Sequence, residues 1–181
     1  MVFNEFPQNP EFYSPDMRPM VTATIRKYGL SEWRAAVLTN ELHGHLGIYA
    51  VIGVKMGLFA LEQLGVAAGD LCITSFAGLN PPLSCMNDGL QVSTGATLGH
   101  GLIYSPPAEY PLAAAVFSTH DNAIRIKVKD RISNRIGNEI ESAAERWGHA
   151  PGYWGHVRKL AVRYWSDLDR KEIFEVEPVK I

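Results

Sequence analysis

The sequence predicts an α+β fold with helices packed on one face of a mainly antiparallel sheet. Three observations lead there. Segments with helical periodicity come first, over roughly residues 17–65. Short alternating strands follow, two of them joined by the turn His120-Asp121-Asn122. Helices and strands do not alternate one for one, as a doubly wound parallel sheet would require.

Each element has its own signal. Residues 1–15, rich in Pro, Asn and aromatics, read as an irregular arm, and residues 16–181 as a single domain. Residues 17–28 alternate apolar and polar side chains at helical spacing and stop at Gly29. Ser31 is the expected N-cap of a second helix running to about Glu41, where His43-Gly44-His45 interrupts it. A third, mostly apolar helix is expected from about Leu46 to Gly65, with Gly53 and Gly57 on one face permitting close packing. Lys55 interrupts its apolar run, which falls short of the ~20 residues that cross a bilayer, so it reads as a core helix. Residues 71–76 read as a buried strand, Asn80-Pro81-Pro82 as a loop and residues 85–94 as a short helix. A Gly-rich loop and a short strand over 102–105 come next. Residues 113–119 and 123–128 form the hairpin, with Ile124, Ile126 and Val128 facing inward and Arg125, Lys127 and Lys129 outward. An amphipathic helix over 130–147 aligns Ile132, Ile136 and Ile140, a further helix covers 152–169, and residues 173–179 form a closing strand.

Composition narrows the function. A net charge of −2 argues against a general nucleic-acid binder but leaves room for a local patch that takes a small anion. Two cysteines, Cys72 and Cys85, make no disulfide framework, and the start has neither a basic nor an apolar leader region, so a cytoplasmic protein is expected.

The chemistry concentrates in a few places. His43 and His45 stand one residue apart around Gly44. On a helix they would point away from each other, whereas a turn lets both rings reach one ion. Imidazole suits zinc, copper, nickel and iron. Cys85 opens a short helix, where the helix N-terminus favours thiolate, the form that ligates metal; a buried structural cysteine is the alternative. Cys72, inside an apolar strand, reads as structural. Asp88 shares a helical face with Cys85 and could hold a ligating histidine, or simply be a first-turn acid. Thr94, Thr97 and the glycines up to Gly101 could cradle an oxyanion or form a plain turn; no phosphate-loop lysine follows. His100 reads as a further ligand, a substrate-binding cation or a loop residue. His120 is expected to be solvated, and His149 and His156 to lie at a helix junction.

Two blocks together, HGHLGIYAVIGVKMG at residues 43–57 and CMNDGLQVSTGATLGHG at 85–101, resemble the E-subunit family of formylmethanofuran dehydrogenase. The resemblance implies an α+β domain, a metal site usually thought to hold zinc, and a homodimer. Carried over by position, His43, His45 and Cys85 correspond to the ligand set. Asp88, Thr94, Thr97 and His100, read from the residues themselves, are the candidates to support the site or bind its ligand, and nickel or iron are the metals that imidazole donors would take besides zinc. The chain departs from the pattern at Gly47-Ile48-Tyr49, where many members have Cys-Pro-Gly. It departs again at Ala96, where many have Cys, and at His100, where Lys is common. No Cys-x-x-Cys pair stands in the last part of the sequence, so the zinc-ribbon appendix of some members is not expected here. The expected function is therefore a metal-binding protein whose His/His/Cys site is open to a small polar or anionic molecule. The alternative is a non-catalytic metal or cofactor carrier, or an accessory assembly protein in a redox-enzyme complex.

Overall fold

The computed structural model describes residues 3–107, 109–148 and 150–180. Three helices open the chain: α1 (Arg18–Tyr28), α2 (Leu30–His43) and α3 (Ile48–Leu64). Strand β1 (Cys72–Ser75) and helix α4 (Met86–Thr94) follow, then β2 (Ile103–Tyr104), β3 (Ala114–Ser118) and β4 (Ala123–Val128). Helices α5 (Asp130–Trp147) and α6 (Pro151–Asp167) precede the last strand, β5 (Phe174–Val179).

The strands form one sheet in the order β2-β1-β3-β4-β5. The β1–β2 pair is parallel and the other pairs are antiparallel, as the α+β expectation requires. The pleat sorts the side chains. Ile73, Ala115, Phe117, Ile126 and Phe174 are buried, whereas Glu175 and Glu177 face water. Phe59 of α3 stacks on Phe174 at 5.6 Å, which fixes the helical layer on the apolar side. Among the described residues no helix is long and apolar enough to cross a membrane.

Helix α3 is the axis of the molecule, buried on almost every side from Ile48 to Ala60. Its contact with α4 depends on glycine. A Cβ at Gly53 would lie 2.1 Å from the Met86 carbonyl oxygen, and one at Gly89 would lie 2.1 Å from that of Ala50. Neither distance is possible, so the two backbones meet where side chains are missing. Lys55 points into the α1–α2 side of the core. Its Nζ lies 2.5 Å from Glu32 Oε1 and 3.9 Å from the centre of the Tyr28 ring.

Two expectations are corrected. Gly29, with φ of 91°, both closes α1 and precedes α2, so Ser31 lies inside the helix and is not its N-cap. Cys72 is exposed, because it pairs with Ser118 on the wet side of the sheet. The N-terminal arm carries a 3₁₀ turn at Pro10–Phe12, and Phe6 is buried. The Tyr13 hydroxyl accepts a hydrogen bond from Trp33 Nε1 at 3.0 Å. His149 lies outside the described residues.

Candidate metal and ligand site

Helix α2 delivers His43 as its last residue. Gly44 turns the chain with φ of 79° and donates its N–H to the Asn40 carbonyl. The Asn40 side chain then accepts from the Gly47 N–H at 2.8 Å, so one residue holds both ends of the turn. The turn brings the His43 and His45 rings to 4.3 Å between centroids, as the glycine between them suggested.

Helix α4 supplies the other polar groups. The Asp88 Oδ2 accepts a hydrogen bond from His43 Nδ1 at 2.7 Å. A carboxylate oxygen has no hydrogen to give, so Nδ1 carries it, and in the neutral ring Nε2 holds the lone pair. That Nε2 is buried and has no hydrogen-bond partner among the described residues. A Cβ added at Gly47 would lie 3.2 Å from the same nitrogen. Partial burial, together with the neighbouring His43, lowers the His45 pKa, a shift in the direction of the neutral imidazole.

Cys85 caps α4, but the expected thiolate is not favoured. Burial raises its pKa, and the negative charge of Asp88 raises it further. A backbone hydrogen bond to the sulfur opposes them and is the smaller effect.

His43, His45 and Cys85 line one cavity of about 360 Å³. Its other walls include Tyr49, Pro81, Ile140, Tyr153 and Trp154. Trp154 meets His45 edge-on at 5.3 Å. The walls are mainly apolar, with the imidazoles and the thiol as the polar end. As the side chains stand, no three His, Cys, Asp or Glu residues among those described are gathered closely enough to hold one ion.

Thr94, Thr97 and His100 lie outside this lining. Thr94 is buried, and its hydroxyl donates to the Leu90 carbonyl and accepts from the Ala96 N–H. Thr97 caps a 3₁₀ turn by accepting from the His100 N–H, and His100 is exposed. The two threonine hydroxyls serve the local backbone. The aromatic wall was missed in the sequence, where only the flanking His149 and His156 read as lying at a helix junction, although Tyr153 and Trp154, two large aromatics in a first helical turn, were a usable signal.

Fold and site together define an α+β protein with an imidazole-headed, apolar-walled cavity. The chain belongs to the family described as "FmdE, Molybdenum formylmethanofuran dehydrogenase operon", which it matches over residues 42–162. It is 36% identical over 164 residues to the "Probable S-adenosyl-L-methionine-binding protein" of Archaeoglobus fulgidus, covering 81% of this chain and 44% of that relative. The chain thus spans less than half the length of that relative. Among solved structures, a tungsten formylmethanofuran dehydrogenase FmdE-like protein from Syntrophus aciditrophicus aligns with a TM-score of 0.44 at 16% identity. That alignment covers 98% of this chain and 78% of the other.

Proposed function

We propose that His43, His45 and Cys85 bind a divalent metal, zinc by the chemistry of the donors, at the polar end of the cavity. The observation that carries this reading is the buried His43 Nε2, which has a lone pair and no partner among the described residues while Asp88 fixes the opposite nitrogen. That is the arrangement by which a carboxylate orients a metal-ligating histidine. A metal with three protein donors keeps an open position and, when bound, supplies Lewis acidity toward a water or a substrate oxygen.

The chain's own residues define the rest. The lowered pKa of His45 favours the neutral ring, the form that offers a lone pair. The Cys85 thiol would release its proton and close on the rings, so affinity rises with pH. Tyr153, Trp154 and Ile140 give the cavity apolar walls, which favour a molecule with an apolar body and one small polar end. Zinc fits the N/N/S set best, with nickel and iron as weaker matches.

Metal analysis of untagged protein tests the reading. About one equivalent is expected, falling several-fold in Cys85→Ser; less than about a tenth of an equivalent with no uptake from buffer contradicts it. Exchange with a chelator separates roles, since a carrier releases its metal within minutes whereas a site that serves chemistry retains it.

A second reading is binding of S-adenosylmethionine, supported by the name of the archaeal relative that aligns with most of this chain. Calorimetric titration tests it, and absence of heat at millimolar ligand assigns that property to the part of the relative this chain does not span.

A further inference from the structure

Among the described residues, no Lys, Arg, Asp or Glu side chain lines the cavity headed by His43, His45 and Cys85. Asp88 stands behind His43, bound to its Nδ1 at 2.7 Å, and brings a negative charge to the polar end. A ligand carboxylate or phosphate would therefore give up its hydration and meet no cation of the chain in return. A divalent ion does not reverse this. With both imidazoles neutral, its two positive charges are balanced by the Cys85 thiolate and Asp88 together, so the loaded site has no net charge to offer an anion.

The walls add a second constraint. Three of them are aromatic: Tyr49, Tyr153 and Trp154. Tyr49 is buried, whereas Trp154 is 57% exposed. Its indole meets His45 edge-on at 5.3 Å and Tyr153 edge-on at 5.2 Å. An indole left half in water at the edge of a cavity offers apolar area for a ligand ring to cover, and paired rings gain more than the area alone provides. Size agrees. An apolar cavity of about 150 Å³ holds benzene, so about 360 Å³ admits a substituted ring.

We propose that the ligand of this site is an uncharged aromatic molecule with one small acceptor group, and that Trp154 is the residue that selects it. The ring lies against Trp154 and the acceptor toward His43, His45 and Cys85. This rests on the reading of the cavity as the binding site and deepens it by naming the class of molecule.

The test uses benzamide, benzoate, which has the same shape and a negative charge, and acetamide, which has the same polar group and no ring. Affinity is read by ligand-observed NMR on zinc-loaded and metal-free protein, with zinc content measured on each sample. Location is read from the tryptophan indole N–H signals, four in all, that of Trp154 being the one lost in Trp154→Ala. Benzamide should bind saturably at up to about 10 mM and shift the Trp154 signal. Benzoate should bind at least about fivefold more weakly with or without zinc, and acetamide should not saturate in this range. Trp154→Ala should weaken benzamide about fivefold with zinc uptake unchanged, and Trp154→Phe should restore most of the loss. No saturable binding of benzamide, benzoate equal to or tighter than benzamide, or an affinity unchanged in Trp154→Ala would each overturn the proposal. Any of these in protein that takes up zinc leaves the metal reading standing. Protein that takes up no zinc and still ranks the probes as expected loses the metal reading and keeps the ligand class.

Discussion

The two nitrogens of His43 have different surroundings, and that difference sets the chemistry at the residue scale. Asp88 holds Nδ1, and Nε2 is left buried and unmet. Asp88 therefore acts on two neighbours at once: it orients His43, and its charge holds the Cys85 thiol up. Asp88→Ala should weaken metal binding by about 10–100-fold, measured by chelator competition. The same change should accelerate alkylation of Cys85 at neutral pH, because removing the negative charge lowers the thiol pKa. Exposed Cys72 is replaced by Ser so that one thiol reports. Unchanged alkylation would mean that burial alone sets the thiol. Asp16 offers a second prediction. Its hydrogen bond from Arg158 lowers its pKa from 3.8 to about 2. A carboxylate depressed on folding stabilises the protein above the unfolded value, and that contribution fades as pH falls through the folded one. The pair is about half exposed, so the gain is discounted to about 1 kcal/mol or less. Asp16→Asn should lower the melting temperature slightly at neutral pH and show a smaller further loss than the parent between pH 4 and 2; a parallel pair of curves would remove Asp16 from the acid response.

At the scale of elements, the glycines on α3 and α4 do opposite work from the one on α5. Gly89 faces the α3 backbone, and a Cβ there would lie 2.1 Å from the Ala50 carbonyl oxygen. Gly89→Ala gains helix propensity of about 1 kcal/mol and loses far more by forcing the two backbones apart. Gly137 lies on α5, where an added Cβ meets nothing within 4 Å. Gly137→Ala should raise stability by about 0.5–1 kcal/mol through propensity alone. Urea unfolding of the two variants should thus give shifts of opposite sign, and a shared sign would show that packing does not govern the α3–α4 contact. The elements themselves were readable because their signals are local. The bounds of α5 and the β3–β4 hairpin follow from periodicity within a few residues. The Gly53/Gly57 face anticipated close packing, but its partner Gly89 was not legible, since sequence does not say which helix arrives. The start of α2 was misread for a related reason: Ser31 is a better capping residue in isolation, and Gly29 wins because the α1–α2 turn requires a positive φ.

Across the whole molecule, the core is pinned by one buried ionic network that no local pattern announced. Lys55 reads in sequence as an interruption of an apolar run. In the fold it is fully buried and paired with fully buried Glu32. Arg170, in the segment after α6, reaches the same carboxylate at 2.9 Å and Glu62 of α3 at 2.6 Å. Residues from α2, α3 and the approach to β5 are thereby fixed to one another. Half the site was readable for the converse reason: the His43–His45 turn is written in three consecutive residues, whereas its aromatic wall comes from α6, more than a hundred residues away. Burial lowers the Lys55 pKa while Glu32 opposes that shift, so the pair stands or falls as a unit. Removing one member leaves the other charged in a dry core. Lys55→Met alone should therefore cost about 3–5 kcal/mol, towards the lower end because Arg170 still faces Glu32. Glu32→Leu combined with Lys55→Met should cost less than the two single changes added together, since the double variant strands no charge beyond Arg170, which retains Glu62. Urea unfolding of the four proteins closes the cycle, with an interaction of about 1–3 kcal/mol expected. Raising the salt concentration should leave that interaction nearly unchanged, because ions do not screen a pair they cannot approach. Additivity within about 0.5 kcal/mol, or a coupling that fades with salt, would mean that Lys55 and Glu32 are merely enclosed and do not hold the helical layer together.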